Sequence, residues 1–236
     1  MFDVTAPVRR LTGDLLAGLL PADCLLCARR LPWRQEGGAC LECWARLPWA
    51  PGLRRAASGS LSTVFWAADY DGDVRRLIQI LKFESWPPLA RPLGRRAAAL
   101  LAPLLFPLPD LVVPVPLHWR RRWRRGFNQS HLLAQTVAGE LALPLSTGML
   151  RRVRAGRAQI GLGRQARLHA LGDAYRASSV APMPILPAAC RAVLTGRTVL
   201  LVDDVTTTGA TLEACAAALR RAGAGAVVGL VIARTA

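Results

Sequence analysis

The stretch Val199-Leu200-Leu201-Val202-Asp203-Asp204-Val205-Thr206-Thr207-Thr208-Gly209-Ala210-Thr211 decides the fold. Its four leading apolar residues read as a strand buried on both faces of a parallel sheet. Two adjacent Asp follow at the strand's carboxyl end, then a short Thr/Gly loop. Residues 212–221 then form an Ala-rich helix that stops near Gly223. Ligands of open α/β sheets bind at the carboxyl ends of strands. Backbone N–H groups at the helix start, with Thr hydroxyls beside them, can hold a phosphate, and Gly209 lets the backbone come close. Asp203 and Asp204 can accept hydrogen bonds from two sugar hydroxyls. The expected ligand is a sugar phosphate, with its phosphate on Thr207, Thr208, Gly209, Ala210 and Thr211 and its ribose over the Asp pair. The plainer alternative is a βα unit with a surface Asp pair. Against it stands the repulsion of two adjacent carboxylates, which a cation or ligand hydroxyls must relieve. The chain lacks both a Walker-type loop ending in Gly-Lys and a GxGxxG fingerprint after the strand, which excludes those two nucleotide sites.

The rest of the chain is long enough for a second, small domain: 236 residues, 52% of them apolar. The formal charge is +16, carried by thirty Arg and the single Lys82 against fifteen acids. That balance excludes an acidic scaffold and favours anionic partners. The excess is local, because residues 118–176 alone carry +10. The longest uncharged apolar stretches, 97–109 and 222–233, are shorter than the ~20 residues of a membrane-spanning helix. Asp14 interrupts the N-terminal apolar run, and Asp23 precedes Cys24, so no signal peptide is expected. The expected location is the cytoplasm, with any approach to the inner membrane made through partners.

Cysteines are rarely oxidised in that compartment, so the six here need another account. Cys24, Cys27, Cys40 and Cys43 form two CxxC knuckles twelve residues apart. Four thiolates at that spacing can surround Zn2+ tetrahedrally with Zn–S near ~2.3 Å, which closes the site to catalysis and makes the ion structural. A ribbon this small has little core and depends on its metal to fold. Trp33, Trp44 and Trp49 offer it a packing surface. Cys190 and Cys215 lack such spacing and read as small core residues. The expected domains are residues 1–55, the N-terminal segment with the ribbon, and residues 56–236.

Another apolar run, residues 111–115, precedes Pro116 and the segment Leu117-His118-Trp119-Arg120-Arg121-Arg122-Trp123-Arg124-Arg125-Gly126-Phe127-Asn128-Gln129-Ser130. If the sheet is parallel, this strand ends beside the phosphate loop, and Val115, Pro116 and Arg125 face the pyrophosphate end of a ligand. Asn128 or Ser130 caps a helix expected over 131–142. Arg120, Arg121, Arg122 and Arg124 interleaved with Trp123 also suit single-stranded nucleic acid, phosphates on Arg and bases on the rings. Residues 151–176 add seven Arg around Gly156, Gly161 and Gly163, read as a closing loop or a basic linker. Lys82 lies in residues 73–83, whose Leu77, Ile78 and Leu81 mark one helix face.

The segment 199–211 resembles the signature of the type I phosphoribosyltransferases, which bind phosphoribosyl pyrophosphate (PRPP). The resemblance implies a parallel sheet flanked by helices, Mg2+ bridging pyrophosphate and ribose hydroxyls, and attack at the anomeric carbon as pyrophosphate leaves. From residue 24 onward the chain is similar to the ComF family, which includes competence proteins and GntX-type proteins. The similarity rests on the four Cys, Tyr70-Asp71-Gly72, Leu81-Lys82-Phe83, Val113-Pro114-Val115-Pro116, Arg125-Gly126-Phe127-Asn128-Gln129, Gln159 and the PRPP loop. It draws Lys82 into the pyrophosphate end of the site. Two positions depart from the family pattern. Ala155-Gly156-Arg157-Ala158 lacks the usual Thr, and Arg167 runs into Leu168 where Asn is usual.

Two functional readings follow, beside a third and plainer one, a nucleotide-salvage phosphoribosyltransferase. In the first, an Mg2+-dependent phosphoribosyltransferase uses Asp203 and Asp204 catalytically, stabilising an oxocarbenium-like state by electrostatics. In the second, the fold senses PRPP without turnover, or binds single-stranded DNA as a scaffold alongside competence and DNA-processing proteins.

Overall fold

The computed structural model describes residues 23–31, 38–84, 86–118, 123, 125–153, 174–177 and 193–235. Two compact units emerge, Met1–Leu47 and Pro48–Ala236.

In the first unit, helix α1 (Leu41–Arg46) starts directly after Cys40. Backbone bonds shape the other knuckle: Cys24 N–H donates to the Arg29 carbonyl and Leu25 N–H to the Gly38 carbonyl, both at 2.8 Å. Its small core is Cys24, Leu31, Ala39 and Cys40, with Leu26, Cys43 and Trp44 packed against it.

The second unit begins at Pro48, before the expected 55/56 boundary, because residues 49–55 form a strand of its sheet. Strand β1 (Trp49–Arg55) pairs antiparallel with β2 (Thr63–Asp69), Arg54 opposite Val64. Then come α2 (Gly72–Phe83), α3 (Ala90–Leu101), β3 (Leu111–Pro114) and α4 (Gln129–Glu140). The chain closes with β4 (Leu150–Arg152), β5 (Tyr175–Ala177), β6 (Thr198–Thr206), α5 (Ala210–Arg221) and β7 (Ala226–Arg234). The main sheet runs β1-β2-β7-β6-β3 and is parallel except at β1. Strands β4 and β5 form a separate antiparallel pair. No helix among the described residues is long and apolar enough to cross a membrane.

The apolar run that opened the reading is the sheet's centre. Val199, Leu200, Leu201 and Val202 are fully buried. Alternate residues take opposite faces. Val199 and Leu201 join Val227 and Val231 against Leu212, Cys215 and Leu219 of α5. Alternation turns Leu200 and Val202 to the other face, where α4 crosses β6 and β3 and packs on α3. Burial of each such side chain contributes ~1.5–3 kcal/mol. Cys215 is one of these core residues, as its lack of ligand spacing implies; Cys190 lies outside the described residues.

Candidate functional site

Strand β6 does not stop before the acidic pair. Its pairing with β7 continues through Asp203 opposite Val231 to Thr206 opposite Arg234. Adjacent strand residues point to opposite sides, so Asp203 and Asp204 diverge. Asp204 is buried and Asp203 half-buried.

Each carboxylate has a partner from a different helix. Asp203 Oδ1 accepts from Ser130 Oγ at 2.7 Å and from Asp204 N–H at 2.9 Å. Ser130 reaches it because Asn128 caps α4, accepting from Ser130 N–H at 3.2 Å while its own Nδ2 donates to the Val115 carbonyl at 3.1 Å. The helix therefore starts two residues before the expected 131. Asp204 Oδ1 pairs with Lys82 Nζ at 3.0 Å, from the last turn of α2. The other oxygen, Asp204 Oδ2, is buried and has no hydrogen-bond partner among the described residues. Burial, then the Asp204 charge, pushes the Asp203 carboxyl up to about 7; Ser130, the Asp204 amide and Lys82 oppose the rise.

Past β6 the chain turns through Gly209, whose φ of 78° suits glycine, and enters α5. Ala210 N–H reaches Thr208 Oγ1 at 3.4 Å. Burial pushes the titration of Tyr175, on β5, upward. The loop of Thr207, Thr208, Gly209, Ala210 and Thr211 thus stands at the helix start, as read from sequence.

Of the residues expected at the pyrophosphate end, Val115 and Pro116 lie at the carboxyl end of β3. Val115 N–H donates to the Val202 carbonyl at 2.9 Å, bringing this end beside β6. Pro116 lines a groove of about 700 Å³ with Phe127, Asn128, His131, Arg151 and Arg152. Arg125 donates to Gln129 Oε1 at 3.2 Å and stacks on Phe83. Lys82 is instead committed to Asp204. Trp123 is 87% exposed. Arg120, Arg121, Arg122, Arg124, Trp33, Gln159 and the two departures from the family pattern lie outside the described residues.

In the first unit the sulfurs of Cys24, Cys27, Cys40 and Cys43 all lie within 4.8 Å of one another. Cys27 and Cys40 sulfurs are 3.8 Å apart, the ~3.8 Å edge of a tetrahedron with ~2.3 Å bonds. Cys40 N–H points at the Cys24 sulfur at 3.3 Å. Burial pushes the Cys24 thiol up, but the N–H groups of Cys27, Cys40 and Leu26 outweigh it and bring it down to about 6. Hydrogen bonding to Cys40, then burial, pushes Cys43 up to about 12. The donor set can hold a metal such as zinc.

The phosphoribosyl transferase domain family matches residues 130–234, from the Ser130 contact to the end of β7. DNA utilization protein YhgH of Salmonella typhi is 36% identical over 175 residues, 71% of this chain and 70% of that one. Competence protein F of Haemophilus influenzae is 38% identical over 117 residues, 49% of this chain and 46% of that one. The chain belongs to the ComF family. A solved structure described as the allosteric regulatory enzyme of purine biosynthesis aligns at TM-score 0.39 and 23% identity. That alignment covers 61% of this chain and 26% of the other, a likeness too distant to assign function.

Sequence reasoning about this ComF-family chain missed three features of the site. Ser130 was legible as a cap but not as the partner of Asp203. Lys82 was marked by being the only lysine among thirty arginines, yet nothing local pointed to Asp204. Glu213, in the first turn of α5, accepts from Ser60 N–H at 2.6 Å and Leu61 N–H at 3.1 Å and ties α5 to the segment just before β2. That contact spans about 150 residues and has no local signal.

Proposed function

We propose that the chain binds PRPP with Mg2+ at the carboxyl end of β6 and works, as a ComF-type protein, in DNA uptake and natural transformation. The observation that carries the PRPP reading is Asp204 Oδ2, a buried carboxylate oxygen without a partner among the described residues, held beside Asp203 and ahead of a Gly-turned helix start. Leaving such a group unpaired costs ~1–3 kcal/mol, which a ribose hydroxyl or a cation relieves. Two carboxylates suit a hard, oxygen-seeking ion such as Mg2+. When bound, Mg2+ supplies charge neutralisation to the pyrophosphate. The protein's own groups do the rest. Asp203 and Asp204 accept the ribose hydroxyls and face the anomeric centre, while residues 207–211 hold the 5′-phosphate. Val115, Pro116 and Arg125 receive the pyrophosphate, and Lys82 joins them by releasing Asp204. Structural Zn2+ in the four-Cys cluster holds the first unit folded. The names of the relatives support the DNA-uptake role, placed in the cytoplasm, with the inner membrane reached through partner proteins.

The test is calorimetric titration of PRPP into the metal-loaded chain, with and without Mg2+. Saturable, Mg2+-dependent binding that Asp204→Asn abolishes is the expected result. Undiminished affinity in the variant refutes the site.

A second reading, a single-stranded DNA scaffold, has one observation in its favour. Trp123 stands 87% exposed in the Arg-rich segment, a position suited to base stacking. In this reading Arg120, Arg121, Arg122 and Arg124 contact phosphates. Trp123→Ala should then weaken oligo-dT binding about tenfold at constant salt dependence; replacing Arg120–Arg122 with Ala should flatten that dependence.

A further inference from the structure

We propose that Arg54, on edge strand β1, is a ligand of the 5′-phosphate and completes the phosphate loop from the far side of the sheet. The proposal rests on the sugar-phosphate reading of residues 207–211. Arg54 sits opposite Val64 and is exposed. Gly52, two residues earlier, lies so close to Trp66 that a Cβ there would stand 2.6 Å from the indole ring. Alternation gives Arg54 the same face as Gly52 and sends Arg55 the other way.

The guanidinium has no ion-pair or hydrogen-bond partner among the described residues. It nevertheless turns to the loop, with Nη2 3.6 Å from the position a Cβ on Gly209 would take. Two cavities flank Thr208, and Arg54 lines both. One, of about 300 Å³, is shared with Trp66, Thr206, Thr207 and Arg234. The other, of about 290 Å³, is shared with Ser58, Gly209, Ala210 and Glu213. The carboxylate at hand, Glu213, is already taken by two backbone N–H groups. A cation is thus held beside the start of a twelve-residue helix, whose first amides have no helical acceptor, and makes no ion pair of its own among the described residues. The missing partner is an anion, and the open volume beside Thr207 and Thr208 admits a phosphoryl group. A charge-assisted guanidinium–phosphate bond then adds to the amide cradle.

The experiment titrates ribose 5-phosphate, and separately inorganic pyrophosphate with Mg2+, into the metal-loaded chain and into Arg54→Ala, Arg54→Lys and Arg55→Ala. Circular dichroism melting verifies that each variant folds. Arg54→Ala should bind ribose 5-phosphate at least tenfold more weakly, with Arg54→Lys between it and the unsubstituted chain. Arg55→Ala, which removes the same charge from the opposite face, should stay within twofold, and pyrophosphate affinity should not move. Unchanged ribose 5-phosphate affinity in Arg54→Ala overturns the proposal. So does an equal loss in Arg55→Ala, which would mean general charge attraction, or an equal loss for pyrophosphate. If the unsubstituted chain binds no ribose 5-phosphate, the sugar-phosphate site itself is refuted and the proposal falls with it.

Discussion

Asp203→Asn should make the ligand-free protein more stable at pH 8 while costing it ligand binding. The Asp203 carboxyl is raised from an ordinary 3.8 to about 7, first by burial and then by the Asp204 charge. The folded chain therefore keeps this proton up to about pH 7, whereas the unfolded chain loses it near pH 4. Between those values the folded state binds more protons, so stability falls as pH rises, by up to ~1.4 kcal/mol per pH unit. Over the whole window the ceiling is about 4 kcal/mol. Asp203 is half-buried and shares its titration with Asp204, so about half that figure is expected. Asn is neutral at every pH and keeps an oxygen for Ser130 Oγ and the Asp204 amide. The variant should match the parent near pH 3.5, where Asp203 carries a proton in the folded and the unfolded chain alike, and exceed it by ~2 kcal/mol at pH 8. The assay is urea denaturation of the metal-loaded chain at both values, followed by PRPP titration at pH 8. A variant that loses stability at pH 8, or keeps the parent's pH slope, refutes the account of strain at the acidic pair.

Three further outcomes follow from the same contacts. Ser130→Ala removes a hydrogen bond that lowers the Asp203 titration, so the pH-dependent loss of stability should extend above pH 7 in denaturation curves. Lys82→Met breaks an ion pair whose side chains are 17% and 5% exposed and leaves Asp204 uncompensated; urea denaturation at pH 8 should show a cost of ~3 kcal/mol. Cys40→Ser, or removal of metal by a chelator, should unfold the first unit. Loss of bound zinc by atomic absorption and a change in Trp44 fluorescence would report this, and an unaltered spectrum after complete metal removal would oppose a structural role.

The parts of the fold that were legible from the chain are those with local causes. Four consecutive apolar residues can only be satisfied by burial on both faces, so residues 199–202 announced the central parallel strand. A Gly and a Thr-rich turn ahead of an Ala-rich run announced the helix, which starts at Ala210, two residues before the expected 212. Paired CxxC knuckles constrain four sulfurs within a few residues of backbone, so the cluster could be read without its partners. Boundaries were less legible. Strand β6 runs through the acidic pair because β7 supplies partners as far as Arg234, and β1 is a strand because β2 pairs with it.

The sequence by itself therefore determined the acidic pair, the Thr/Gly loop and the four-sulfur cluster, since each is a short run whose chemistry and geometry are set by neighbours in the chain. Only the tertiary structure decided which groups meet them. Lys82 meets Asp204 across 122 positions and Ser130 meets Asp203 across 73. Arg54 hangs over Gly209 from an edge strand. Such meetings depend on which helix ends and sheet edges the packing brings to the carboxyl end of β6, and hydrophobic burial, which drives that packing, is set by faces and areas and leaves no mark beside the residues it brings together.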